Sequence, residues 1–111
     1  MYNYKAKLNR VVDGDTVNLT IDLGFRLSYT ANCRLAGINA PELNTDEGKK
    51  SKIALQMMLT DNYKLIDNLD DFMYDIQSIG LDKYGRPIVI IRHNGIDINI
   101  EMIKKGYAIK Y

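Results

Sequence analysis

Three short stretches of this sequence carry side chains that could do chemistry. The first is Asp13-Gly14-Asp15-Thr16. Two carboxylates on a tight turn can gather oxygen ligands for a hard cation such as calcium or magnesium. The same residues also suit a plain hairpin turn in which both aspartates cap backbone amides. The second stretch runs from Arg34 through Asn39-Ala40-Pro41 to Glu42. Arg34 falls near the end of a strand pattern, and Glu42 follows a proline that stiffens the loop. A surface arginine paired with a nearby glutamate would also explain it, although such exposed pairs contribute only about 0–1 kcal/mol. The third is Asp82-Lys83-Tyr84-Gly85-Arg86. Read alone, its Arg86 is a solvated cation at the edge of a turn. Taken together, the three supply the parts that phosphodiester hydrolysis needs. A metal neutralises phosphate oxygens, arginine forks hold the developing charge, and a carboxylate activates water.

The elements that must position these residues follow from periodicity. Tyr4, Ala6 and Leu8 share one parity and Lys5, Lys7 and Asn9 the other, as in a strand. Thr16 to Asp22 reads as a second strand, Leu23-Gly24 as a turn, and Phe25 to Leu35 as a third strand. Pro41 lacks an amide hydrogen and cannot lie within a strand interior. From Asp46 the pattern becomes helical, with Ile53, Ala54, Met57 and Met58 at three- and four-residue spacing, ending near 60–63. Residues 67–71 suit either a loop or a helix extension. Phe72 to Ile79 reads as a fourth strand and Pro87 to Arg92 as a fifth. Asn94-Gly95 signals a type I′ hairpin leading into Ile96-Asp97-Ile98. A second helix follows, with Asn99 as its cap, Ile100 and Ile103 as buried positions and Gly106 as terminator. Three strands, a helix, two strands and a helix predict an α+β, mostly β fold. It is a small five-stranded Greek-key barrel with two packed helices, a single domain over residues 1–111.

Composition bounds the remaining possibilities. The 111 residues are 46% hydrophobic and 26% charged, which is ordinary globular usage and excludes disordered and collagen-like chains. No apolar run approaches the length of a membrane span, and Lys5, Lys7 and Arg10 interrupt any apolar leader. The expected location is the cytoplasm, or outside the cell after processing. The net charge of +1 hides segments of opposite sign. Residues 1–40 carry five basic and three acidic groups, residues 41–80 four and eight, and residues 81–111 six and three. A broad positive field is therefore excluded, and any phosphate must be met by a few placed arginines. The single cysteine, Cys33, forms no intrachain disulfide and reads as a small apolar strand residue. His93 reads as an exposed turn residue, the methionines as core fill, and most of the eight tyrosines as barrel packing. The acidic stretch from Asp67 to Asp75 reads as a solvated face, so no protein partner is predicted.

In order, spacing and flanking strands, the three motifs resemble the staphylococcal nuclease-like (thermonuclease) family from about Lys5 to Ala108. Gly106-Tyr107-Ala108 is similar to a corresponding segment of that family. The resemblance implies an oligonucleotide/oligosaccharide-binding (OB) barrel and calcium-dependent cleavage of DNA and RNA, with single strands as the expected substrate. It makes Asp15 a direct calcium ligand and Asp13 a supporter of that site through water. Arg34 and Arg86 would grip the scissile phosphate, and Glu42 would orient or deprotonate the attacking water. Tyr84 would hydrogen-bond a substrate phosphate, with Lys83 near the nucleotide. Asn39 stands where the family most often has a second metal-binding aspartate. Its amide oxygen ligates calcium without bringing charge, so a weaker site is expected. The competing class is a barrel that binds single strands without cutting them. Asn39 and the low net charge suit that alternative, whereas both arginines with Glu42 suit the enzyme.

Overall fold

The computed structural model describes residues 2–60 and 73–111. Its elements run β1 (Tyr2–Asp13), β2 (Thr16–Gly24), β3 (Leu27–Leu35), β4 (Ile38–Asn39), α1 (Asp46–Thr60), β5 (Tyr74–Leu81), β6 (Pro87–His93), β7 (Ile96–Asp97), α2 (Ile98–Lys104) and β8 (Ile109–Lys110). The main sheet has the order β3-β2-β1-β5-β6-β7, and a parallel β3–β6 pairing closes five strands into a barrel. Closure rests on two pairs, Arg34 with Ile88 and Leu35 with Val89. The predicted small α+β OB-like barrel with two helices is the observed architecture. The two-residue β4–β8 pair, Ile38–Lys110 and Asn39–Ile109, has too little pattern to show in the sequence.

Alternation explains the barrel interior. Val17, Leu19 and Ile21 on β2 face Cys33 and Leu35 on β3 and Val89 and Ile91 on β6, and all are buried. Each fully buried side chain of this size contributes about 1.5–3 kcal/mol. On β1 the register shifts twice, between Leu8 and Arg10 and again between Val11 and Asp13. Leu8 pairs with Leu19 and Arg10 with Asn18, so Asn9 is an inserted bulge residue. The bulge lets Val11 turn inward and leaves Arg10 outside. Cys33 packs as expected of a small apolar residue, and burial pushes its thiol up to about 11.

Several local expectations change. The β2–β3 turn is formed by Phe25 and Arg26, both at positive φ (54° and 64°), so β3 begins at Leu27 rather than Phe25. The fourth strand is Tyr74–Leu81, and the expected start at Phe72, like the stretch 67–71, lies outside the described residues. His93 is buried, not exposed, because it continues the inward parity of Val89 and Ile91. Its ring lies 4.6 Å from that of Tyr74. Among the described tyrosines only Tyr74 is buried and Tyr4 packs half-buried against the core, while the other five are exposed. Of the methionines named as core, Met102 is buried and Met58 packs at the core edge, but Met57 is exposed. On α1 the buried face is Gly48, Ser51, Ala54, Leu55 and Leu59, whereas Ile53 is exposed. In the first half of the helix the inward face is made of small residues, Gly48 and Ser51, because that half seats closely against the Glu42 loop and the Gly14 turn, whereas Leu55 and Leu59 further along enter the core.

The cap of α2 is Asp97, whose carboxylate accepts the Ile100 amide, and not Asn99. Ile100 is exposed and Ile103 half-buried, while Ile98, Asn99 and Met102 are buried. Gly106 terminates the helix as expected, at φ 81°. Asn99 has a different task. Its Oδ1 accepts the Ile91 amide at 3.2 Å, and its Nδ2 donates to Ala36 O at 2.9 Å and Val89 O at 3.1 Å. One side chain thus stitches α2 to β6 and to the turn after β3, beside the pairing that closes the barrel. Asn99→Ala leaves the Ile91 amide and the Ala36 carbonyl without their bonds. We expect it to lower unfolding free energy by about 2–4 kcal/mol in urea denaturation.

Candidate active site

The β1–β2 turn presents the first carboxylates. Asp13 Oδ1 accepts the backbone amide of Asp15 at 3.0 Å, a local bond that shapes the turn. Asp15 itself is buried. Its Oδ2 accepts the Ala40 amide at 2.8 Å and lies 3.1 Å from an Arg34 guanidinium nitrogen. Burial and the neighbouring Asp13 push its carboxyl above the ordinary range, while the Ala40 amide and Arg34 pull it back. The plain turn reading therefore covers Asp13 but not Asp15, whose side chain reaches 25 residues along the chain.

Arg34 lies at the end of β3, opposite Thr16 of β2. It touches the Asp15 backbone carbonyl at 3.3 Å and the Asn39 Oδ1 at 3.3 Å. It does not pair with Glu42 as the bland reading supposed; its acid is Asp15. The exposed Tyr111 ring stacks on its outer side, with the guanidinium carbon 5.8 Å from the ring centroid. The structure thus brings Asp13, Asp15, Arg34 and Asn39 into one cluster. Among the described residues no three His, Cys, Asp or Glu side chains gather as a metal site. The set at Asp15 reaches three oxygen side chains only by including the Asn39 amide. Two adjacent carboxylates, one of them poorly solvated, fit a hard cation, because a cation offsets both the burial and the neighbouring Asp13 that raise Asp15.

Glu42 is set by α1. Thr45 caps the helix, with its Oγ1 accepting the Gly48 amide at 3.0 Å. The same hydroxyl donates to the Glu42 carbonyl at 2.6 Å, and the Thr45 amide donates to it at 3.0 Å. Gly48 sits so close that a Cβ there would lie 1.8 Å from the Glu42 carbonyl oxygen. Gly14 is also tight, since its Cβ would lie 2.6 Å from Ser51 Cβ and 2.8 Å from Ala40 Cβ. The helix therefore presses on both the metal-candidate turn and the Glu42 loop. Glu42 is exposed, and its carboxylate makes no hydrogen bond or ion pair among the described residues. Thr45 and Gly48 were missed in the sequence, although a threonine three residues before Gly48 at a helix start is a readable capping signal.

The third motif forms its own cluster. The Asp82 carboxylate accepts the Tyr84 amide at 2.9 Å, the Arg86 amide at 2.9 Å and the Arg86 Nε at 2.7 Å. Burial acts against its charge, but the amides and guanidinium of Arg86, with the Tyr84 amide, hold its carboxyl below the ordinary range. The Tyr84 ring is exposed, with the Arg86 guanidinium 5.6 Å and the Lys83 ammonium 5.2 Å from its centroid. Arg86 immediately precedes β6, two residues from Ile88, the partner of Arg34. One strand spacing across and two residues along put the two arginine backbones on the order of 8 Å apart.

Comparison with known proteins places the chain in a family. Residues 32–111 match the family described as staphylococcal nuclease homologue, and the chain belongs to that family. It is 31% identical over 121 residues to Endonuclease YhcR of Bacillus subtilis (strain 168), covering 97% of this chain and 9% of that protein. It is 29% identical over 107 residues to an uncharacterized endonuclease of Haemophilus influenzae, covering 96% of this chain and 52% of that one. Protein ParB of Escherichia coli is 25% identical over 116 residues, 96% of this chain and 57% of that one. The chain thus spans little more than half the length of the latter two relatives and a small part of the first.

The seating of α1 is directly testable. Gly48→Ala forces either the helix or the Glu42 carbonyl to move, and should cost about 1–3 kcal/mol of stability. Urea denaturation measures it, with the exposed Lys49→Ala as the comparison.

Proposed function

We propose that this protein is a metal-dependent endonuclease that hydrolyses phosphodiester bonds of DNA, RNA or both, with single strands as its substrate and calcium as its cation. The observation that carries the reading is the placement of Arg34 and Arg86 at neighbouring strand ends beside the β3–β6 pairing, with Arg34 held on a buried carboxylate. Asp15 and the Asn39 amide oxygen would hold the cation, with Asp13 behind them. When bound, it neutralises charge on phosphate oxygens.

The chain's own residues do the rest. Arg34 and Arg86 each offer several donors to the equatorial phosphate oxygens, whose charge grows as phosphorus becomes pentacoordinate. Asp82 and Tyr84 hold Arg86, and Asp15 and Tyr111 hold Arg34, so little reorganisation is needed at the moment of reaction. Glu42 takes the proton of the attacking water as its oxygen bonds to phosphorus, and the leaving oxygen departs from the opposite face. Its unpaired, exposed carboxylate suits a base that must reach a mobile water. Tyr84 and Lys83 line the approach of the flanking nucleotide.

A non-cleaving nucleic-acid-binding module is the second reading. It is favoured by Asn39, which gives the cation one negative charge fewer, and by Arg34 already satisfying Asp15 and Asn39. Cleavage of a single-stranded oligonucleotide with calcium, abolished by a chelator, separates the two. Arg34→Ala, Arg86→Ala and Glu42→Ala should each lower the rate by about 10²–10³-fold. Binding without cleavage at any calcium concentration would establish the second reading.

A further inference from the structure

The outer face of β1, β2 and β3 carries a row of polar side chains that the proposed chemistry does not use. The Asn9 Nδ2 donates to Asn18 Oδ1 at 2.9 Å, and Asn18 Nδ2 donates to Asn32 Oδ1 at 2.9 Å. These bonds cross three strands in one direction and leave the Asn32 Nδ2 as a terminal donor with no partner among the described residues. Asn32 is two residues from Arg34 on the same strand and the same face. At the other end of the row stands Arg10, paired in register with Asn18. Arg10 is exposed, and no ion pair or hydrogen bond engages its guanidinium among the described residues.

The bulge at Asn9 is what puts Arg10 there. In an unbroken register Asn9 would pair with Asn18 and Arg10 would lie opposite the buried Val17, away from this row. Bulges near active sites commonly re-aim a side chain in this way. Two strand spacings and two residues separate Arg10 from Arg34, a distance on the order of 12 Å. An arginine with no acid, at the end of an amide track that starts beside the phosphate-gripping arginine, matches the repeating charge of a polynucleotide backbone.

We infer that the β1–β3 outer face carries the nucleic-acid strand away from the cleavage point, with Arg10 contacting a second phosphate and the Asn32 amide donating to the backbone between. This rests on the nuclease reading and adds the path of the substrate. It also makes the protein's grip depend on strand length, because a substrate too short to reach Arg10 gains nothing from it.

The test measures binding of a labelled single-stranded DNA of about 16 nucleotides by fluorescence anisotropy in chelator, between about 50 and 200 mM salt. Arg10→Ala should weaken binding about three- to fivefold and reduce the slope of log affinity against log salt by about 0.7. Arg10→Lys should restore the slope. Lys104→Ala, which removes the same charge from α2, should retain the wild-type slope. A wild-type slope in Arg10→Ala, or an equal fall in Lys104→Ala, overturns the inference and leaves the nuclease reading in place. Failure of the wild-type protein either to bind this strand or to cleave it with calcium overturns both.

Discussion

The site depends on how one buried carboxylate is kept in place. Asp15 gives up most of its water next to another acid, and an acid so placed resists ionisation. What offsets that cost comes from distant parts of the chain: the Ala40 amide in the loop after β4, and Arg34 at the end of β3. Three segments therefore converge because one charge has to be compensated. The same arginine position lies in the short parallel pairing that closes the barrel, so fold closure and site assembly share a residue.

A second constraint is steric. Helix α1 approaches the Asp13–Asp15 turn and the Glu42 loop more closely than side chains normally allow, through Gly14, Gly48 and Ser51. Packing at this density transmits position. The helix is thus the rigid support from which Glu42 projects, while its own carboxylate stays free. Glycine serves here through its missing side chain, and neither position has a positive φ.

The two arginines are built alike. Each is held by an aspartate on one side and faced by an exposed tyrosine ring on the other. Guanidinium groups restrained in this way have little entropy left to lose. Asp15 and Asp82 each balance the charge of the arginine they hold. The chain belongs to the staphylococcal nuclease homologue family and is similar to proteins named as endonucleases.

Much of this was legible in the amino-acid order. Alternation located the barrel strands, the Asn-Gly pair located the turn at Asn94-Gly95, and three- and four-residue spacing located the helix starting at Asp46, because these depend on neighbours within a few residues. The three motifs named the residues that came to lie at the strand ends and loops. What the order alone left open were matters of which face and which partner. The true inner face of α1, the burial of His93, the bridging by Asn99 in place of capping, and the pairing of Arg34 with Asp15 rather than Glu42 all follow from contacts between residues far apart in the chain. Such contacts are decided by how closely whole elements can approach, and local propensity carries no information about that distance.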